Sequence, residues 1–192
     1  MSVFDDVLAD LRAGNDRFAR GEGSPRSYTA EQFARMAGGQ SPHAAVVACA
    51  DSRVCPEFVF DQPLGAIFVS RVPANVASDS AKWMIDLAVG EFKVPIVVVL
   101  AHSGCLAVKQ IVEGRDGPGG MLRYRVRSAF HDVSAVSSDQ VYERTIDENA
   151  RKTCRDLIQE SSALGDAVRA GRTRILPARY DMATGQVVWL DV

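Results

Sequence analysis

The sequence predicts an α/β fold, with a mainly parallel central sheet flanked by helices and an N-terminal helical arm. Three observations carry that reading. Short apolar runs alternate with stretches of helical period, the pattern of a parallel sheet with helical crossovers. The run Ile96-Val97-Val98-Val99-Leu100 is β-branched, uncharged and apolar on both faces, which suits a central strand covered on each side by helices. Phe4, Val7, Leu8, Leu11 and Phe18 recur near the helical period of roughly 3.6 residues and mark an amphipathic helix at the start. At 192 residues one domain with a sizeable core is expected, residues 1–38 forming the arm and 39–192 the core.

The elements follow in order. The first helix runs from Val3 to Arg20 and ends at Gly21-Glu22-Gly23-Ser24-Pro25, and a second covers about Ala30 to Met36. Ala44 to Cys49 and Ala66 to Ser70 are apolar runs fit for buried strands. Ser78 is a plausible N-cap for a helix reaching Phe92 through Trp83, Ile85, Leu87 and Val89. After Ile96 to Leu100, helical patterns dominate from Leu106 to about Ala170. They are broken by the loop Gly114-Arg115-Asp116-Gly117-Pro118-Gly119-Gly120, and the longest runs from Gln140 to Glu160. The end reads as two strands, Thr173 to Tyr180 and Gln186 to Asp191, around the turn residues Thr184-Gly185.

Composition narrows the function classes. A net charge of -2 and a pI near 5.9 give no sign of a nucleic-acid partner. The longest apolar stretch, Val94 to Ala101, is less than half of the roughly 20 residues that span a bilayer. Met1-Ser2-Val3-Phe4-Asp5-Asp6 carries acids where a signal peptide carries Lys or Arg. Four cysteines are too few for a disulfide scaffold. A cytoplasmic protein with reduced thiols is expected.

Those thiols carry the chemistry. Cys49 ends the first strand, in Cys49-Ala50-Asp51-Ser52-Arg53, and His102-Ser103-Gly104-Cys105 follows the central one. Strand ends of an α/β sheet are where ligands collect. Two thiolates and an imidazole suit zinc, and three protein ligands leave the fourth tetrahedral position open, as in a catalytic site. A lone cysteine is more often a small buried hydrophobe. The joint pattern of Cys49, His102 and Cys105 overrides that habit, while Cys55 and Cys154 read as non-ligands. Asp51 and Arg53 are two residues apart on an extended loop, so their side chains can face the same way, and Arg can grip a carboxylate in a fork.

Taken together, these motifs resemble the β-class carbonic anhydrases, whose pattern is Cys-x-Asp-x-Arg, then His-x-x-Cys about fifty residues later. Here 52 residues lie between Cys49 and His102. Gly39-Gln40-Ser41-Pro42, Arg53-Val54-Cys55-Pro56, Phe68-Val69-Ser70-Arg71, Ala74-Asn75 and Glu148-Asn149-Ala150 extend the likeness over most of the chain. The resemblance implies interconversion of carbon dioxide and bicarbonate by zinc-bound hydroxide, with one zinc per chain. It also implies N-terminal helices that wrap a partner in a homodimer or a dimer of dimers. By the same likeness Arg53 holds Asp51 off the metal, and Asp51 accepts a hydrogen bond from the hydroxide. Gln40 donates to bicarbonate, Phe68 walls the carbon dioxide pocket, and Arg71 and Asn75 are structural. His43 and His131 have no motif context, though His43 is near enough in sequence to be a conceivable proton relay.

The chain departs from the family at several positions. Leu106 replaces the glycine that usually follows the second cysteine ligand, and a leucine there disfavours φ > 0 and fills space beside the substrate. Ala101 stands for the glycine before the histidine, Leu87 for a tyrosine and Pro73 for a valine. Val46 occupies the position where a regulatory subset carries tryptophan, which favours the open, water-ligated form. Two alternatives follow: a hydrolase of carbonyl sulfide or carbon disulfide on the same zinc, or a noncatalytic zinc protein blocked by Leu106. Retention of Asp51, Arg53 and Gln40 argues against the second.

Overall fold

In the computed structural model, which describes residues 2–24, 27–115, 120–133 and 140–191, five strands form one sheet in the order β2-β1-β3-β4-β5. Strands β1 (Ala44–Ala48), β2 (Ile67–Arg71), β3 (Ile96–His102) and β4 (Arg174–Tyr180) run parallel, and β5 (Val187–Trp189) closes the edge antiparallel to β4. The expected mainly parallel sheet is therefore present. Pro25 and residues 116–119, parts of the two expected loops, lie outside the described residues.

Alternation along β1 and β3 builds two cores. Ala45, Val47 and Cys49 join Val97, Val99 and Ala101 on one face. Ala44, Val46 and Ala48 join Ile96, Val98 and Leu100 on the other. All seven residues of β3 are buried, as a run apolar on both faces requires. The first face is covered by α4 (Asp79–Gly90), α5 (Leu106–Val112), α6 (Met121–Val133), α7 (Val141–Glu160) and α8 (Ser162–Arg169). The second is covered by α1 (Val3–Ala19) and the four-residue α3 (Pro56–Val59). The remaining helix, α2 (Ala30–Met36), buries none of its residues.

Four of the helices, α1, α2, α4 and α8, start at side-chain caps. Ser2 and Thr29 close capping boxes with Asp5 and Gln32, and Ser78 and Ser161 accept the backbone N–H of Ala81 and Leu164. Helix α1 docks on its own sheet by a close approach at Gly14. A Cβ there would stand 1.9 Å from the Phe60 carbonyl oxygen, so only glycine fits. Next to it, buried Asn15 donates to the carbonyls of Val59 (3.0 Å) and Gly185 (2.9 Å) and accepts the Val187 N–H (2.8 Å). One side chain thus ties α1 to α3 and to the β4–β5 turn.

Candidate metal centre

The strand order places a reversal between β1 and β3: the chain leaves β1 towards β2 on one side, then crosses back to β3 on the other. Such a switch point opens a crevice beyond the carboxyl ends of the two strands. Cys49 directly follows β1, His102 is the last residue of β3, and Cys105 is the N-cap of α5. Parallel pairing of Ala48 with Leu100 brings the two strand ends level. The tight turn from His102 to Cys105 uses Gly104 at φ 73, in the left-handed region that glycine adopts freely.

All three side chains are buried, and their donor atoms lie within 4.8 Å of one another. The sulfurs of Cys49 and Cys105 are 4.0 Å apart. His102 Nδ1 lies 2.9 Å from the Ser103 carbonyl oxygen, while its Nε2 is buried with no hydrogen-bond partner. An orphaned ring nitrogen beside two thiols is costly unless something binds there. The hydrogen bond from Cys105 holds the Cys49 thiol well below its ordinary range, with a smaller contribution from His102 and against the effect of burial. The same contact, then burial, pushes Cys105 far up, because a second thiolate would face the first. Burial lowers the His102 pKa, but interaction with Cys49 outweighs it and the net shift is upward. A divalent cation among the three relieves each tension: both thiolates gain a counter-charge and Nε2 gains a partner. This donor set fits zinc.

Asp51 and Arg53 stand beside the cluster as a fork. Arg53 Nε donates to Oδ1 at 2.9 Å and Nη2 to Oδ2 at 2.8 Å, and the Arg53 backbone N–H adds a bond to Oδ1 at 3.0 Å. Those Arg53 hydrogen bonds hold the carboxyl well below the usual carboxylate range, against the effect of burial, with His102 adding a favourable charge. Asp51 is outside the group of donor atoms that could hold a metal. Cys55 instead donates to Glu57 at 3.3 Å, and Cys154 is sealed in the core of α7, so neither joins the cluster.

A cavity of about 280 Å³ opens over the cluster, lined by Cys49, Asp51, Pro73, Cys105, Leu106 and Gln110 among others. Of the three substrate-contact residues expected from sequence, only Leu106 lines it. Leu106 is the first residue of α5 and has no positive φ, so the expected conflict between leucine and the backbone does not arise. Its side chain is 60% exposed at the cavity. Gln40 precedes β1 and lines a separate groove with Phe33, Met36 and Leu64, at the end of the strand opposite Cys49. Phe68 pairs with Ala45 on β2 and packs against Phe92 at 5.5 Å, away from the cavity. His43 also sits at the far end of β1, 3.6 Å from Asp10, and is not near the cluster. Residues 44–187 match the family model described as carbonic anhydrase.

The chain belongs to the β-carbonic anhydrase family. This is a family of lyases acting on carbon dioxide. Carbonic anhydrase 2 of Mycobacterium tuberculosis is 34% identical over 188 residues, covering 94% of this chain and 90% of that protein. The carbonic anhydrase of Mycolicibacterium smegmatis is 32% identical over 185 residues, covering 92% and 88%. The fold is shared with a tetrameric β-carbonic anhydrase of Sordaria macrospora at a TM-score of 0.74 and 20% identity, covering 98% of this chain and 97% of that one. The β-carbonic anhydrase CafA of Aspergillus fumigatus gives 0.74 at 22% identity, covering 99% and 91%.

Three side chains support the candidate site: Arg71, which was expected to be structural, and Tyr142 and Asn149, whose roles sequence reasoning missed. Arg71, at the end of β2, donates from Nε to the Cys49 carbonyl at 3.2 Å and from Nη2 to the Asp51 carbonyl. It thereby clamps the loop that bears both a metal-ligand candidate and the dyad. Tyr142 reaches from α7 to donate to the Cys105 carbonyl at 3.0 Å. Burial pushes its phenol up to about 12, so it stays a donor. Asn149 donates to the Ala74 carbonyl at 2.7 Å and fixes the turn that carries Pro73. Here Ala74 sits at φ 56 and Asn75 at φ 46, a conformation that needs such a restraint. For Asn149 the signal was present, as the late Glu148-Asn149-Ala150 segment stood out without an assigned partner. Tyr142 offered no signal in its own neighbourhood.

Proposed function

We propose that the chain is a zinc-dependent carbonate dehydratase that interconverts carbon dioxide and water with bicarbonate and a proton. One zinc ion per chain would be held by Cys49, His102 and Cys105. The observation that carries this reading is the convergence of two buried thiols and an unpartnered imidazole Nε2 beside a fork-held carboxylate. When bound, zinc lowers the pKa of water to around 7 and so supplies hydroxide as nucleophile at neutral pH. Asp51, ionised and acceptor-only, would accept a hydrogen bond from the O–H of that nucleophile and so aim its lone pair at the carbon. Arg53 fixes the carboxylate so that its direction is set before substrate arrives. The cavity walls around Pro73 and Leu106 accept an apolar, linear substrate. Attack would form the new C–O bond and move one C=O electron pair onto oxygen, with the proton lost from water leaving to buffer. Asp51 lies apart from the metal-donor group, which supports an open site.

The assembly proposed is a homodimer or a dimer of dimers. Gln40 and Phe68 lie at the amino-terminal ends of β1 and β2, so they can serve a pocket only across an interface. The exposed Phe33 and Leu64 beside Gln40 support a buried contact there. Free thiols at the cluster support a reducing, cytoplasmic location. Among the described residues no helix is long and apolar enough to cross a membrane. One observation favours a second reading: Leu106 presents an exposed apolar side chain to the cavity, which suits the more polarisable carbonyl sulfide or carbon disulfide. Stopped-flow carbon dioxide hydration beside carbonyl sulfide turnover, on zinc-quantified protein, separates the two. Absent turnover of either substrate at full zinc would leave a noncatalytic protein.

A further inference from the structure

We propose that Gln110 is a substrate-binding residue, whose side-chain amide hydrogen-bonds the oxygens of bicarbonate and of the bicarbonate-like transition state within its own chain. The inference rests on the proposed carbonate chemistry and assigns the cavity a side-chain amide donor, which the acceptor-only Asp51 does not supply.

The argument starts from what the cavity offers. Its cysteines belong to the metal cluster, and both Asp51 oxygens are engaged by Arg53. Pro73 and Leu106 are apolar walls. Gln110 is half-buried there, and its side-chain amide has no hydrogen-bond partner among the described residues. It sits four residues after Leu106 on α5, hence on the same face of the helix. Four residues rise about 6 Å along a helix, and helical side chains lean back towards the N-terminus. A glutamine at this position therefore reaches over the Leu106 turn towards Cys105 and the metal cluster. Its amide carries both an N–H donor and a carbonyl acceptor. Bicarbonate presents charged oxygens and one O–H, and so matches both. Carbon dioxide is linear, uncharged and a weak acceptor. The contact thus strengthens as charge develops on the substrate oxygens, the condition under which a hydrogen bond accelerates a reaction.

The test uses Gln110→Ala and the isosteric Gln110→Glu, with zinc or cobalt(II) content quantified for each. Alanine is a good helix residue at a partly exposed position, and glutamate keeps the shape while replacing the donor with a like charge. Bicarbonate is titrated into the cobalt-loaded proteins by visible spectroscopy. Hydration and dehydration are followed by stopped flow. We expect Gln110→Ala to weaken bicarbonate binding about three- to tenfold, the scale of one net hydrogen bond, and Gln110→Glu to weaken it further. Both directions share one equilibrium constant, so kcat/KM must fall by one common factor in hydration and dehydration. In dehydration the loss should appear in KM. A general loss of structure would not produce that split. Bicarbonate affinity and KM within twofold of the parent in both variants overturns the assignment, and if the parent hydrates carbon dioxide the proposed function still stands. A metal-loaded parent that neither binds bicarbonate nor hydrates carbon dioxide overturns both.

Discussion

Removing the Arg53 side chain separates catalysis from stability more cleanly than any other change at this site. In Arg53→Ala the carboxylate of Asp51 loses the bonds at 2.9 and 2.8 Å and keeps only the backbone bond at 3.0 Å, which any residue at position 53 supplies. The Arg53 side chain is 62% exposed, so its ion pair adds little to folding. We expect Tm to shift by less than about 3 °C. The catalytic effect is larger because a carboxylate held at one point swings. Misplacing an orienting group by about 1 Å costs up to about a hundredfold, and we expect turnover to fall between about ten- and a hundredfold. Stopped-flow hydration of carbon dioxide, normalised to zinc, reads this directly. Arg53→Lys keeps the charge but not the planar fork, and should recover only part of the loss. A zinc-replete Arg53→Ala enzyme hydrating carbon dioxide within twofold of the parent would refute the orienting role.

Other predictions address the ligands, their supports and the cavity wall. Cys49→Ser, His102→Ala and Cys105→Ser should each lose zinc on purification and melt at lower temperature, since metal binding and folding are coupled; full zinc occupancy in all three would end the assignment. Arg71→Ala removes the clamp on the Cys49 and Asp51 carbonyls and should weaken zinc about ten- to a hundredfold in competition with a chelator, whereas unchanged affinity would make the clamp dispensable. Leu106→Gly should speed hydration modestly and cost no more than about 0.5 kcal/mol in denaturant unfolding, because the position is exposed and lies at the very start of α5. A variant no faster than the parent would mean that the leucine is accommodated.

Much of this was legible in the chain because the strongest signals are local. The buried run Ile96 to Leu100 within β3 and the Ser78 cap of α4 rest on patterns a few residues long, whereas the capping boxes at Ser2 and Thr29 were not anticipated. The central strand was read as ending at Leu100, yet β3 continues through Ala101 to His102, paired with Arg179 and Tyr180. A histidine looks like a loop residue, and this one is fully buried because it closes the strand against the two thiols. The four-residue α3 was not anticipated, although Pro56 at its first position is a helix-start signal. β5 is shorter than expected because pairing with β4 stops at Ala178, where Leu190 donates instead to the Pro177 carbonyl. Gln40 and Phe68 teach a different lesson. Their offsets from Cys49 match a pocket motif, but an offset along the chain does not say at which end of a strand a residue lies. Only the parallel register puts them at the wrong end of their own strands. Arg71 was read as structural, and its contacts make that role specific to the ligand loop.

The grip of Asn15 on the Val187 amide has a consequence for watching this molecule open. Val187 is a sheet residue whose N–H is protected by a helix at the other end of the sequence. Its exchange with solvent deuterium therefore reports undocking of α1, while amides of the central strand β3 exchange only when the sheet itself opens. Comparing the two rates measures how independently the first helix breathes. The same undocking also frees the carbonyl of Val59 at the end of α3. A protected amide on β5 is in this way a gauge of how firmly α1 holds both α3 and the edge of the sheet.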